Sequence, residues 1–164
     1  MLIFALTLAA FANPLLEEAV KPRGMGGVSR GTVLTLEEDA TVYRMWSGPV
    51  DPHTDGIEAD PITNELGQWW TFAPPSGTVE QYRKKYAICT GWNDLLWISV
   101  CTLKAGATVV VGPTQSVSEE TCGVKGEHYR RRWSQQVYIQ RAWERDDLVC
   151  VLKYRANPED LESR

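Results

Sequence analysis

Glu127-His128 followed by Arg130-Arg131-Arg132 is the one stretch that sets a proton-transfer group beside a run of cations. Such a set could act as acid/base and phosphate clamp in RNA cleavage. It has no second histidine in a matching motif, and a solvated charge run explains the arginines as well. Elsewhere the chemistry-bearing side chains fall in short separate pieces: Val42-Tyr43-Arg44-Met45-Trp46, Gly67-Gln68-Trp69-Trp70-Thr71, Tyr82-Arg83, Val111-Gly112 and Ser134-Gln135-Gln136-Val137-Tyr138-Ile139. None forms a phosphate-binding glycine loop, a dinucleotide fingerprint, a zinc-protease helix or a serine elbow. Four cysteines without CxxC spacing and two histidines argue against a structural zinc site.

Strands must position most of these pieces. Trp97, Ser99, Cys101 and Leu103 alternate with Ile98, Val100 and Thr102, and both sets carry apolar groups, which predicts a strand covered on both sides. Lys104-Ala105-Gly106 offers a turn into the β-branched run Ala107 to Val111, so a central hairpin is expected. Ala40 to Trp46 reads as a strand, with a bulge or strand end near Arg44. Gln68 to Phe72, Gln135 to Gln140 and Leu148 to Tyr154 read as further strands. Thr78 to Tyr86 reads as a helix, with Thr78 and Gln81 as a capping box and Val79, Tyr82 and Tyr86 on one face. The long Pro/Asp/Gly-rich connector from Ser47 to Gly67 is of a kind often used for function. The order gives one α+β domain, a mostly antiparallel twisted sheet with one main helix.

These pieces, in this order over roughly residues 40 to 140, resemble the ADP-ribosyltransferase-like toxin domains. Within them they are most similar to the NAD glycohydrolases of the tuberculosis necrotizing toxin type at the ends of polymorphic toxins. The resemblance implies an enzyme that breaks the nicotinamide–ribose bond, with NAD as substrate and no cofactor or metal. It implies that Arg44 binds NAD, gripping the pyrophosphate with its forked donors. Gln136 would hold a ribose hydroxyl as charge develops. Thr71 would brace the pocket floor, and Tyr82 or Trp70 would supply a stacking ring. An immunity protein or a target protein is the kind of partner the family has. Three departures stand out, one being that the family's frequent histidine in the central strand region is replaced by Trp97 or absent. Tyr129 to Ser134 is bulky and basic where the family has a glycine-rich turn. Gln135-Gln136-Val137 replaces the E-x-E pair of the transferases, which favours hydrolysis over transfer to a protein.

Other readings stay open beside it. Arg44 could cover apolar surface with its stem. Gln135 and Gln136 point to opposite faces of a strand, so only one enters a cleft. Tyr82 and Tyr86 could be plain helix core, and at least one of Trp69 and Trp70 should be core. A secreted nuclease toxin, or a non-catalytic binding module built on its seven tryptophans, is the alternative function.

The chain of 164 residues is long enough for one core, and its net charge of −4 gives no general pull toward nucleic acid or anionic membranes. No nucleic-acid partner is expected. Residues 1–12 form an apolar start ending in Ala10-Phe11-Ala12, read as a signal peptide or an upstream apolar segment, and too short to span a bilayer. Residues 13–31 read as a linker, 32–156 as the folded toxin-like domain and 157–164 as a polar tail. An even number of cysteines (Cys89, Cys101, Cys122 and Cys150) suits two disulfides in a secreted protein, with three pairings open.

Overall fold

The computed structural model describes residues 13–49 and 65–156. The apolar start, the polar tail and most of the Ser47–Gly67 connector lie outside the described residues. The elements run α1 (Pro14–Ala19), β1 (Thr32–Thr35), β2 (Ala40–Trp46), β3 (Trp69–Trp70), α2 (Val79–Tyr86), β4 (Trp97–Leu103), β5 (Thr108–Pro113), α3 (Glu119–Cys122), β6 (Gln135–Tyr138), a 3-10 turn (Ala142–Glu144) and β7 (Leu148–Arg155). The strands make two antiparallel sheets, β1-β5-β6-β3 and β2-β4-β7. This is the expected α+β class, with few and short helices. None of the helices among the described residues is long and apolar enough to cross a membrane.

The central hairpin is not formed. β4 pairs with β2 and β7, whereas β5 pairs with β1 and β6. A strand has two edges, and both strands have filled theirs with other partners. The turn itself exists, with Gly106 at φ +87°, but it carries the chain from one sheet to the other. Each strand is internal in its own sheet, with a neighbour on both edges. Val42, Cys101 and Leu103 of one sheet meet Trp70, Val109 and Val137 of the other in the main core. The bulge expected near Arg44 is also elsewhere. β2 pairs with β4 in unbroken register from Ala40↔Leu103 to Trp46↔Trp97. The irregularity lies between Val100 and Cys101, in the pairing of β4 with β7.

Residues 13–31 do not form a free linker. Ala19 and Val28 are fully buried against Val110 and Tyr138, with Leu15, Leu16 and Val20 packed beside them. The glycines serve tight packing here: a Cβ on Gly27 would meet the Ala19 carbonyl oxygen at 3.0 Å, and one on Gly31 the side chains of Val110 and Leu16. At Gly112 an added Cβ would collide with the Arg30 carbonyl oxygen, a backbone atom that cannot swing aside.

The capping box of α2 is present. Thr78 Oγ1 accepts from the Gln81 N–H at 3.2 Å, and Gln81 Oε1 accepts from the Thr78 N–H at 2.9 Å. Tyr82 and Tyr86 on this helix pack with Met45, Leu95 and Ile98 over the β2-β4-β7 sheet. Two disulfides join Cys89 to Cys122 and Cys101 to Cys150, and no described cysteine is free. The second links directly paired residues of β4 and β7. Thiol labelling of the denatured, unreduced protein is expected to modify none of the four. Modification of all four would contradict the pairing.

Candidate functional site

β2, β3, α2 and β6 bring their chemistry-bearing residues to one cavity of about 310 Å³. Arg44, Trp70, Thr71, Tyr82 and Gln136 all line it. Their convergence follows from the topology. Thr71 pairs with Tyr43 by an isolated bridge, so β3, in one sheet, is stitched to β2, in the other. β3 also pairs with β6, which brings Gln136 into the same corner. α2 covers that corner from the side.

The environment of each residue decides what it can do. Arg44 is 6% exposed and donates from Nη1 to the Trp69 carbonyl at 2.9 Å. Burial brings its pKa down to about 10, with the neighbouring Tyr82 opposing the shift, so it keeps its charge at neutral pH. Gln136 is also 6% exposed. Its Nε2 donates to the Tyr86 carbonyl and to Thr114 Oγ1, both at 3.0 Å. Because a carbonyl can only accept, the atom facing Tyr86 must be the nitrogen. The carboxamide oxygen is left over, and it takes no hydrogen bond from the described residues. No side-chain oxygen or nitrogen fully enclosed by the described residues lacks a partner. The Gln136 oxygen is therefore in contact with open space, on a residue that lines the cavity.

Thr71 is buried; its hydroxyl donates to the Ala73 carbonyl at 2.7 Å, and its backbone exchanges two bonds with Tyr43. It braces the wall by holding β2 and β3 together. Tyr82 and Tyr86 pack with their rings tilted by 52° and 4.6 Å between centroids. Burial pushes the Tyr82 phenol well above its ordinary range, Tyr86 adds to the rise, and the Thr71 hydroxyl and Arg44 oppose it. Burial likewise raises Tyr86, again opposed by Thr71. Both phenols are thus neutral donors at any ordinary pH. Both rings belong to the core of the helix face and line the cavity as well.

Trp70 is a wall residue. It is 1% exposed, packs in the main core and donates from its indole N–H to the Gly67 carbonyl at 2.6 Å. The most exposed ring at the cavity is Trp92, 39% exposed, with Trp69 half-buried beside it in the lining. Sequence reasoning did not single out Trp92 or its neighbour Asn93, although Gly91-Trp92-Asn93-Asp94, a tryptophan within a turn-forming stretch, is the signal that could have found them. Asn93 shapes this loop: its Oδ1 accepts from the Leu95 N–H at 2.8 Å, beside a buried Leu95 held at φ +59°. Such a φ is strained for a branched side chain.

Gln135 faces away from the cavity, exposed, with its Nε2 on the Trp133 carbonyl. Glu127 is not disposed for acid/base work with His128. Its two carboxylate oxygens are taken up by the Thr90 N–H, the Thr90 hydroxyl and the Tyr129 hydroxyl. His128 lies with Arg130 and Arg131 in a separate hollow.

Compared with known protein families, curated proteins and solved structures, the chain matches none of them.

Proposed function

We propose that this protein is a secreted NAD glycohydrolase acting in the cavity between β2, β3, α2 and β6. The observation that carries the reading is that a buried arginine and a buried glutamine, far apart in sequence, line one cavity together with the rings of Trp69, Trp70, Tyr82, Tyr86 and Trp92. The resemblance of the short motifs to toxin-type NAD glycohydrolases supports the same chemistry, and the two disulfides favour export.

The reaction breaks the C1′–N bond of nicotinamide riboside within NAD. Nicotinamide leaves with the bonding electrons as a neutral molecule, and the ribose becomes an oxocarbenium-like cation. Water then adds at C1′ and loses a proton, giving ADP-ribose. Arg44 holds phosphate oxygens by charge-assisted bonds, which are strong where water is excluded. The Gln136 oxygen accepts from a ribose hydroxyl, and this bond strengthens as the sugar gains positive character. Trp92 and the two tyrosines give the planar nicotinamide a surface to stack on.

Incubation of the purified protein with NAD should release free nicotinamide, measured by chromatography. A plain RNA transcript in the same buffer should stay intact. Intact NAD beside degraded RNA would reverse the assignment in favour of a nuclease.

A further inference from the structure

The cavity is at the lower end of the roughly 300–1,000 Å³ used for drug-sized ligands, and a dinucleotide is larger than such a ligand. Only one nucleoside half of NAD fits inside, so the other half needs a surface next to it. The structure has a second hollow, of about 950 Å³, joined to the first by a short piece of chain. Gly27 lines the cavity and Gly24 lines the hollow. The Gly26 N–H donates to the Ser116 carbonyl at 2.9 Å, and the Gln115 N–H donates to the Gly27 carbonyl at 2.8 Å. A Cβ on Gly26 would touch both Trp92 of the cavity and Val117 of the hollow, so the divide between them is one glycine wide.

The charge of this hollow is opposite to that of the chain. Arg23, Arg130, Arg131 and His128 line it, and none of its described lining residues is acidic, in a chain of net charge −4. Among the described residues the three arginines make no ion pair. The nearest acidic groups in sequence are Glu119 and Glu120, which open α3 after Ser118, and Glu127, which is held by Thr90 and Tyr129. Trp133, 72% exposed, stands next to the hollow, with the guanidinium groups of Arg30 and Arg131 5.2 and 5.5 Å from its ring centroid. Unpaired guanidinium groups beside an open aromatic ring suit a phosphate attached to a planar base.

We propose that this hollow is an anion subsite for the adenosine-monophosphate half of the dinucleotide, with its phosphate on Arg130, Arg131 and Arg23 and the adenine against Trp133. The assignment of the ligand rests on the proposed NAD chemistry of the adjoining cavity. The subsite makes the protein select the dinucleotide over nicotinamide mononucleotide by binding, without touching the bond that breaks.

Two measurements test it, on wild type, on the double variant Arg130→Ala/Arg131→Ala and on Arg44→Ala. The substituted arginines of the double variant are exposed, so an unchanged melting temperature is expected for it. In calorimetric titration with AMP, the wild type and Arg44→Ala should bind alike, and the double variant should bind at least about tenfold more weakly, the loss of one charged hydrogen bond or more. In turnover, the double variant should raise KM for NAD by a similar factor and leave nicotinamide mononucleotide cleavage unchanged. Failure of AMP to bind wild type, or equal binding by the double variant, overturns the subsite. An equal loss on the mononucleotide overturns it too. Absence of nicotinamide release by wild type from either substrate would instead refute the proposed reaction, and AMP binding would still decide the subsite.

Discussion

Gln136→Ala is expected to lower kcat for nicotinamide release by on the order of 10²-fold, with KM changed little. The removed oxygen touches the sugar as positive charge develops, so its loss is felt mainly in the transition state. Arg44→Ala should behave in the opposite way and raise KM, because phosphate binding is present before the bond breaks. Gln136 also has a structural duty, since its Nε2 holds the Tyr86 carbonyl and Thr114. Truncation therefore leaves a buried carbonyl without a donor, at a cost of about 1–3 kcal/mol in stability. The kcat effect should persist at temperatures well below the melting point of the variant, which separates chemistry from unfolding. Gln135→Ala, on the exposed face, should be nearly silent in both respects. A Gln135 variant that loses more activity than the Gln136 variant would place the reacting sugar on the wrong face of β6.

The two-residue logic of a strand made Gln136 legible. Adjacent glutamines must point oppositely, and the choice between them came from motif order alone. The α2 cap and the aromatic face of the helix were legible for the same reason: both are local, set by residues three or four apart. What could not be read was pairing. The turn at Gly106 suggested a hairpin, but whether β4 and β5 pair depends on β1, β2, β6 and β7 competing for their edges. These partners come from distant sequence, and no local period encodes them. The segment 14–31 misled for a related reason. Proline and glycine usually mark linkers, yet here the glycines let the backbone pass close to α1 and β5, a reason visible only once the neighbouring chain is in place. Trp92 was missed because a loop residue has no periodicity to betray which way it faces.

Arg83→Ala is expected to produce the largest loss of stability of any single substitution near the cavity, although Arg83 does not line it. The side chain is 5% exposed at the end of α2. Its Nη1 donates to the carbonyls of Ile88 at 3.1 Å and Cys89 at 3.0 Å, and its Nη2 donates to the carbonyl of Asn93 at 2.9 Å. One guanidinium thus folds the segment 88–93 around itself, and Ile88, Trp92 and Asn93 of that segment form a wall of the cavity. Truncation leaves the carbonyls of Ile88 and Asn93 without a donor, and that of Cys89 with only the Trp92 N–H at 3.0 Å. The expected cost is on the order of 3–5 kcal/mol, which corresponds to a fall in melting temperature of about 10 °C for a domain of this size. Arg83→Lys should recover little, because a single ammonium on a flexible stem cannot reach three carbonyls in the fork geometry. The Cys89–Cys122 disulfide ties one point of the segment to α3 and keeps it attached, so the fold should survive while the wall loosens. Calorimetry with the disulfides intact measures the first effect, and amide hydrogen exchange at Ile88 to Asn93 measures the second. A melting temperature within about 2 °C of wild type would mean that these carbonyls find water or other donors, and the guanidinium would then have no claim to organise the wall.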